Sequence, residues 1–295
     1  MNVLSLFDGI SCSRVALDNL NFDIKNYFAS EIDKYCISVS KKNYPEIIHL
    51  GDINKININD LPKIDLLIGG SPCQDISHAF SGKGLLGSRS SLFHKFVAIK
   101  NKLKPKFFLL ENVKSKWRNE MDRAIGVEGL EMNSKFFSAQ SRPRIYWSNI
   151  KFNEPKDENF QNIVDILQED VEDKFFLKKE VQNSLSLSYQ RRNSRSGNIE
   201  KIITASRKDI RDNERQRRIY SVYGKSPTIL ARSDTAKILT KHGIRKLTPL
   251  ECERLQCLPD NYTDCLSNTQ RYKAIGNGFT VDAISHILLN ISKDF

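Results

Sequence analysis

The sequence predicts an α/β fold, in which a doubly wound parallel sheet is joined to a small, mainly β lobe. Over the first 150 residues, short apolar runs alternate with amphipathic stretches. This spacing is typical of a parallel sheet covered by helices on both faces. The alternation stops near residue 151, and 174–245 is polar without a long helical period. That stretch is expected to form short strands and loops.

Each predicted element follows from the period of its apolar residues. Strands are expected at 3–7, 27–32, 47–53, 65–69 and 107–113. Helices are expected through 15–20, 35–43 and 92–103, and two further strands joined by a turn within 126–147. Regular structure returns at 248–257. A final helix from Thr280 has an apolar stripe formed by Val281, Ile284, Leu288 and Ile291.

The composition excludes several classes of protein. With 295 residues, 39% hydrophobic and 27% charged, the chain can bury a full core and is too mixed to be disordered or fibrous. No apolar run approaches the roughly 20 residues of a membrane span, and no signal peptide is evident. Six unevenly spaced cysteines without a Cys-x-x-Cys pair argue against disulfides and metal. We expect a cytoplasmic protein that binds neither membrane nor metal.

Positive charge is concentrated in one part of the chain. The segment 174–245 contains 18 Lys and Arg against 6 Asp and Glu, a net charge of +12, whereas the whole chain has +11. The preceding segment, 151–173, has 2 basic and 8 acidic residues. An ordinary solvated surface could explain this pattern, but its richness in arginine favours a surface that binds nucleic acid.

Polar residues and glycines follow the first three predicted strands. Phe7-Asp8-Gly9-Ile10-Ser11 comes after the first strand, Glu31-Ile32-Asp33 after the second, and Gly51-Asp52-Ile53 after the third. Ligands of doubly wound sheets bind at these carboxyl ends, where an acidic side chain can accept hydrogen bonds from a ribose. The three segments together predict an adenosine-type cofactor.

The fourth and fifth strands are followed by candidate catalytic residues. Cys73 follows Pro72 at the start of a loop rich in Gly and Ser, 77–91, and is placed to act as a nucleophile. The other five cysteines are expected to be packed structural thiols. Glu111 ends an apolar run, and desolvation there favours the protonated form, which can donate a proton. Arg142 and Arg144 are two residues apart and are expected on one face of a strand.

Eight sequence blocks, taken in order, resemble the DNA (cytosine-5)-methyltransferase family. They are Phe-Asp-Gly, Glu-Ile-Asp, Gly-Asp-Ile, Ser-Pro-Cys-Gln, Glu-Asn-Val, Gln-x-Arg-x-Arg, Arg-Lys-Leu-Thr-Pro-x-Glu-Cys at 245–252, and Gly-Asn-Gly at 276–278. They cover both ends of the chain and omit only the basic middle. The resemblance implies a Rossmann-like methyltransferase domain made of 1–165 and 266–295, with the last helix packed on the first strand. A target-recognition domain would occupy 166–265.

The resemblance also implies the functional residues. S-adenosylmethionine, with S-adenosylhomocysteine as its product, would be bound by Phe7, Gly9, Ile10, Glu31, Ile32, Asp52, Ile53, Pro72, Leu92 and Asn277. Cys73 would form a covalent bond to C6 of a flipped-out cytosine, Glu111 would be the acid at the base, and Arg142 and Arg144 would hold the substrate. Contacts to double-stranded DNA are expected from Gln74, Ser77, Arg89, Arg211, Arg215, Gln216 and Arg217.

The sequence departs from the family pattern at the first loop. Ser11 and Cys12 stand where glycines are common, and Ile32 replaces a frequent larger apolar residue. These changes are expected to weaken cofactor affinity without removing a catalytic group. A monomer without an obligate protein partner is expected in a bacterial or phage-infected cell. The DNA site, and whether the enzyme belongs to a restriction-modification pair, stay open.

Three alternative functions fit the sequence less well. An RNA-directed relative is disfavoured because the Cys-Phe-Thr insertion of those enzymes is missing. A catalytically silent DNA-binding relative is disfavoured because Cys73, Glu111 and Arg144 are all present. An unrelated NAD-type enzyme would need Gly-x-Gly-x-x-Gly after the first strand, which the sequence does not provide.

Overall fold

The computed structural model describes residues 1–72, 90–157, 160–184, 198–204 and 217–291. The chain forms two compact units. The first unit comprises Met1–Asn133, Pro143–Glu154 and Val281–Phe295, and the second comprises Ser134–Arg142 and Pro155–Thr280. The sequence-based domain boundaries at 165/166 and 265/266 lie elsewhere. The difference has a packing reason, since Ile163 and Tyr272 lie in the apolar core of the second unit.

The described strands are β1 (Asn2–Leu6), β2 (Asn26–Ser30), β3 (Ile48–His49), β4 (Leu66–Gly70), β5 (Phe107–Asn112), β6 (Leu130–Asn133), β7 (Gln140–Ser141), β8 (Pro143–Ser148), β9 (Lys201–Thr204), β10 (Arg218–Ser221), β11 (Ser226–Pro227), β12 (Lys237–Thr240) and β13 (Gly243–Lys246). The described helices are α1 (Cys12–Asn19), α2 (Lys34–Asn43), α3 (Ser90–Leu103), α4 (Arg118–Ile125), α5 (Lys179–Ser184), α6 (Pro249–Leu255), α7 (Asn268–Asn277) and α8 (Val281–Leu288). None of these helices has both the length and the apolar character that a membrane span requires.

The first unit is built on a seven-stranded sheet with the order β3-β2-β1-β4-β5-β8-β6. Neighbouring strands from β3 to β5 are parallel, whereas β8 is antiparallel to both β5 and β6. The strand order reverses between β1 and β4, which makes the carboxyl ends of these two strands the edge where ligands bind in this class of sheet. The predicted α/β class is confirmed.

One apolar cluster of the first unit joins the sheet with α3. Phe93 and Phe96 of α3 are completely buried, as their helical spacing predicts, and Trp147 of β8 is buried in the same cluster. The last helix, α8, packs against α1. The predicted return of the chain end to the N-terminal region is therefore observed, but its main neighbour is the first helix rather than the first strand.

The second unit contains a four-stranded sheet, β13-β12-β10-β9, and a separate parallel pair, β7 and β11. Its charged residues are deeply buried in places. The guanidinium of Arg245 donates two hydrogen bonds, of 2.7 and 2.8 Å, to the carboxylate of Glu251, which also accepts from the Thr248 backbone at the start of α6. One carboxylate of α6 thus holds both β13 and the turn that precedes the helix.

Two predicted elements were wrong in extent, and one helix was not predicted. The expected strand at 47–53 is two residues long, because the Asp52 side chain accepts from the Asn54 backbone and begins a 3₁₀ turn. The final helix ends at Leu288 rather than Ile291. Helix α4 was not predicted, since its eight residues contain only Met121 and Ile125 as large buried apolar groups.

Candidate active site

Glu31 connects the loops that follow the first two strands of the parallel sheet. Its Oε2 accepts a hydrogen bond of 2.8 Å from the backbone N–H of Gly9, and its Oε1 accepts from the N–H groups of Ile32 and Asp33 at 2.7 and 2.8 Å. Gly9 has a φ of 60°, which favours glycine. The loops after β1 and β2 are therefore brought together as the sequence predicted.

Four apolar residues predicted for the cofactor pocket differ in accessibility. The side chains of Ile10 and Ile53 are buried, and Phe7 packs against the core of the first unit. Ile32, in contrast, is 76% exposed. Of the four, Ile32 therefore offers the most apolar surface to a ligand.

The loop after β3 is positioned by hydrogen bonds at Gly51 and Asp52. The Ser30 hydroxyl donates to the Gly51 carbonyl at 2.8 Å, which links this loop to the end of β2. Asp52 accepts at 2.9 Å from the Asn54 backbone and at 3.1 Å from its side-chain amide. A Cβ added at Gly9 or at Gly51 would meet open space, so the backbone at both loops is accessible to a ligand.

The end of β5 is tied to the residues that follow β4. The side-chain amide of Asn112 donates to the carbonyl of Ser71 at 3.1 Å and to its hydroxyl at 2.9 Å, while Asn112 Oδ1 accepts from Val113 at 2.8 Å. Both Ser71 and Asn112 are buried. This contact fixes the backbone immediately before Pro72.

Several predicted residues of the central loop lie outside the described residues: Cys73, Gln74, Ser77 and Arg89. Pro72 is the last residue described before this gap, and it is half-buried. Leu92, in the first turn of α3, packs partly buried against the core of the first unit.

Glu111 and Arg144 form an ion pair on adjacent antiparallel strands. The guanidinium Nε lies 2.9 Å from the carboxylate Oε1, and each side chain is 12% exposed. Glu111 stands opposite Tyr146 in the register of β5 and β8, so Arg144, two residues earlier on the same face, is its diagonal neighbour. The guanidinium also donates to the Pro143 carbonyl at 2.8 Å.

The prediction that Arg142 and Arg144 lie on one face of a strand was wrong. It lies between β7 and β8, which belong to different sheets, so Arg142 and Arg144 do not share a strand face. Arg142 is in the second unit and 4% exposed. Its guanidinium donates to the carbonyls of Ile229, Gly276 and Gly278 at 3.0 to 3.3 Å. These bonds give it a structural task, and contact with a substrate base stays a prediction.

The remaining predicted residues lie in the second unit or outside the described residues. Asn277 is exposed at the last position of α7, between Gly276 and Gly278. Arg217 is half-buried immediately before β10. Arg211, Arg215 and Gln216 fall in the part of the chain that the structure does not describe.

Three polar residues that shape the site were not predicted from the sequence: Asp8, Ser71 and Asn112. Asn112 could have been found from the strand period, because a polar residue that follows Glu111 in β5 must face the opposite side of the sheet. Asp8 could have been found from its place between Phe7 and Gly9 in a buried turn. Among the described residues, no group of three or more His, Cys, Asp and Glu side chains is arranged to hold a metal ion.

A doubly wound sheet whose strand order reverses between β1 and β4 places the first unit in the Rossmann-like class of α/β domains. A family model for C-5 cytosine-specific DNA methylases matches residues 1–126 and 129–293. The chain belongs to this family, whose members methylate C5 of cytosine through a covalent bond between enzyme and base.

Two curated relatives illustrate the similarity. The type II methyltransferase M1.ScrFI of Lactococcus lactis subsp. cremoris is 31% identical over 97% of this chain and 76% of that protein. The type II methyltransferase M.HhaI of Haemophilus parahaemolyticus is 29% identical over 99% of this chain and 94% of that protein.

Solved structures agree on the fold. The Entamoeba histolytica methyltransferase EhMeth superposes with a TM-score of 0.73 at 14% identity and covers 98% of this chain and 97% of its own. The S. pombe Dnmt2 methyltransferase gives a TM-score of 0.69 at 16% identity, with both chains covered to 100%. At these identities the likeness shows the fold alone.

Proposed function

We propose that this protein transfers a methyl group from S-adenosylmethionine to C5 of a flipped-out cytosine in a specific double-stranded DNA site, with Cys73 as its nucleophile and Glu111 as its acid. The observation that carries the proposal is the junction of β4 and β5. Asn112 holds Ser71, two residues before Cys73, while the adjacent Glu111 is paired with Arg144. In the sequence Cys73 comes shortly after β4, and Glu111 lies near the end of β5. The proposed nucleophile and acid therefore belong to the ends of two neighbouring strands.

The residues at the first three strand ends fit S-adenosylmethionine. Open space lies beside Gly9 and Gly51, the Glu31 carboxylate is at the edge of the same loops, and Ile32 presents an exposed apolar surface suited to a purine. Glu31 and Asp52 would accept hydrogen bonds from the ribose and the adenine amino group. When bound, the cofactor supplies an electrophilic methyl group.

The chain's own residues supply the activation of the base. Cytosine C5 is a weak nucleophile, so the Cys73 thiolate adds to C6 while Glu111 donates a proton to N3, which gives C5 the reactivity of an enamine carbon. After C5 is methylated, solvent takes up the C5 proton and the N3 proton returns to Glu111, and elimination of the thiolate restores the aromatic ring and frees Cys73. Arg144 orients the Glu111 carboxyl through their 2.9 Å contact.

The basic segment supports DNA as the substrate. The net charge of +12 over 174–245 matches a phosphate backbone, and base flipping costs a few kcal/mol that such contacts must offset. We assign DNA contacts to the loop residues Gln74, Ser77 and Arg89 and to Arg211, Arg215, Gln216 and Arg217. One flipped base needs one active site, so a monomer is the proposed functional form.

The first experiment is the transfer of labelled methyl groups from S-adenosylmethionine to duplex DNA of mixed sequence. Wild type is expected to label DNA and Cys73→Ala to label none, whereas Cys265→Ala, which removes an exposed cysteine, keeps full activity. Bisulfite mapping of the product then gives the site.

A second readout tests the covalent step. Duplexes with 5-fluorocytosine cannot lose the C5 substituent, so wild type should remain bound to them under denaturing conditions and Cys73→Ala should not. Labelling of tRNA without DNA would favour an RNA-directed enzyme. Labelling of DNA by Cys73→Ala would contradict the assignment of the nucleophile.

A further inference from the structure

The loop after β1 has an unusual backbone. Within five residues, Phe7, Gly9 and Ser11 all have φ near 60°. Only glycine adopts this conformation without steric cost, because a Cβ approaches the following carbonyl oxygen. Phe7 and Ser11 therefore need compensating contacts to hold the loop in place.

The Ser11 hydroxyl makes such contacts. Ser11 occupies the position before α1, yet its side chain does not cap the helix. Instead its hydroxyl donates to Asp8 Oδ2 at 2.6 Å and lies 2.8 Å from the Ser40 hydroxyl oxygen of α2. All three side chains are buried. The serine that stands at a glycine-like backbone position is thus held from two sides.

Asp8 is the centre of this buried polar cluster. Its Oδ1 accepts from the Tyr27 hydroxyl of β2 at 2.8 Å, and that hydroxyl is 2.7 Å from Ser13 of α1. The Asp8 backbone N–H donates to the Ser30 carbonyl at 3.0 Å. The carboxylate therefore connects the loop with β2 directly, with α1 through Tyr27 and Ser13, and with α2 through Ser11 and Ser40.

Burial raises the pKa of Asp8 to about 6 despite the hydrogen bonds it accepts, and the negative charge of Glu31 acts in the same direction. The carboxyl is therefore mostly ionised at neutral pH, so both of its oxygens can accept. Retaining a carboxylate at this buried position is costly, which is unexpected for a group that only fills space.

We propose that Asp8 is a positioning residue for cofactor binding. Through Ser11 it keeps the Gly9 N–H hydrogen-bonded to Glu31 and keeps the loop after β1 in the conformation that accepts the ligand. The inference rests on the proposed function, because it takes S-adenosylmethionine as the ligand of this loop. In a chain that keeps a Cβ at position 11 but lacks the Asp8–Ser11 hydrogen bond, the binding-competent loop is less populated, and apparent affinity falls in proportion.

Three variants of the full chain separate the effect of the Ser11 hydroxyl on ligand affinity from the effect of the backbone conformation at this residue. Ser11→Ala keeps the Cβ and loses the hydrogen bonds, so its Kd for S-adenosylhomocysteine should rise about tenfold. Ser11→Gly loses the hydroxyl but adopts φ near 60° freely, so its Kd should stay within about threefold of wild type. Asp8→Asn should behave like Ser11→Ala. Ser38→Ala is the matched control, because its hydroxyl bonds only within the exposed face of α2.

Calorimetric titration with S-adenosylhomocysteine measures Kd without turnover, and steady-state kinetics should show a raised KM for S-adenosylmethionine with kcat unchanged. Amide hydrogen exchange at Gly9, in the free protein, should be faster in Ser11→Ala than in Ser11→Gly. Equal losses of affinity in Ser11→Ala and Ser11→Gly, or a wild-type Kd in Ser11→Ala, would overturn the inference. If wild type itself failed to bind the ligand, the proposed function would fall, while Gly9 exchange would still decide the role of Asp8 in the loop.

Discussion

The guanidinium of Arg144 and the carboxylate of Glu111 lie 2.9 Å apart, although 33 positions separate them in the sequence. Both groups are nearly enclosed, so the attraction between them is less screened than at a surface. A carboxyl held by a guanidinium has a fixed orientation, which is what proton donation to one ring nitrogen requires.

Replacing Glu111 with glutamine should lower kcat by at least about 100-fold, because an amide of similar shape cannot transfer the proton. DNA and cofactor binding should change little. Glu131→Gln is the control, since Glu131 forms a mainly exposed pair with Lys114 on the same sheet. Single-turnover methylation kinetics measure the effect, and a Glu111→Gln enzyme with wild-type kcat would refute the role of Glu111.

Replacing Asn112 with alanine should reduce both stability and turnover. The buried Ser71 carbonyl loses its hydrogen bond, so the free energy of unfolding should fall by about 1–3 kcal/mol. Asn149→Ala is a control at the other end of β5, where the exposed Asn149 bonds Phe108 and Lys106. Urea unfolding should show a smaller loss for Asn149→Ala than for Asn112→Ala, and kcat should fall only for Asn112→Ala. A comparable fall in kcat for Asn149→Ala would mean that the effect is general destabilisation.

Replacing Glu251 with glutamine should destabilise the second unit strongly. The Arg245 guanidinium would keep its buried position without a carboxylate partner, at a cost of about 3–5 kcal/mol. Glu172→Gln, which removes the partner of Lys174 in an exposed pair, should cost less than about 1 kcal/mol. Denaturant titrations of the two variants test this contrast, and equal midpoints would show that the buried pair contributes no more than the surface one.

The buried carboxyl of Asp8 predicts a pH dependence of stability. Because burial raises its pKa to about 6, the folded state holds this proton more tightly than the unfolded state. Its contribution to stability is therefore greatest below about pH 4 and decreases by roughly 3 kcal/mol as the pH rises through 6. The unfolding free energy of Asp8→Asn minus that of wild type should increase over this range. A difference that is constant from pH 4 to 7 would contradict a buried, titrating Asp8.

The spacing of apolar residues along the chain was sufficient to predict several strands and one helix. The strands β1, β4 and β5 fall within one or two residues of their predicted bounds, because apolar runs between turn-forming residues determine them. Helix α3 was found from the spacing of Phe93, Phe96 and neighbouring apolar residues. The order of strand ends then predicted which loops meet at the Gly9–Glu31 contact.

The rest depends on contacts that spacing does not reveal. Residues two positions apart share a face only when both lie in one strand. Arg142 and Arg144 do not, because the chain passes from one sheet to another at Arg142. The pairing of Glu111 with Arg144 follows from the antiparallel register of β5 and β8, which no local period contains. The Asp8 cluster combines side chains of a loop, a strand and two helices, each of which is unremarkable in its own segment.

The packing of α8 on α1 has a consequence for synthesis of the chain. Val15, Ala16 and Leu17 of α1 are buried in the finished protein, yet their partner helix begins only at Val281. At about 5–20 residues per second, translation leaves α1 without α8 for on the order of 10–50 s. Almost all of the second unit leaves the ribosome in that interval. The second unit can therefore fold before the first unit acquires its last helix, α8.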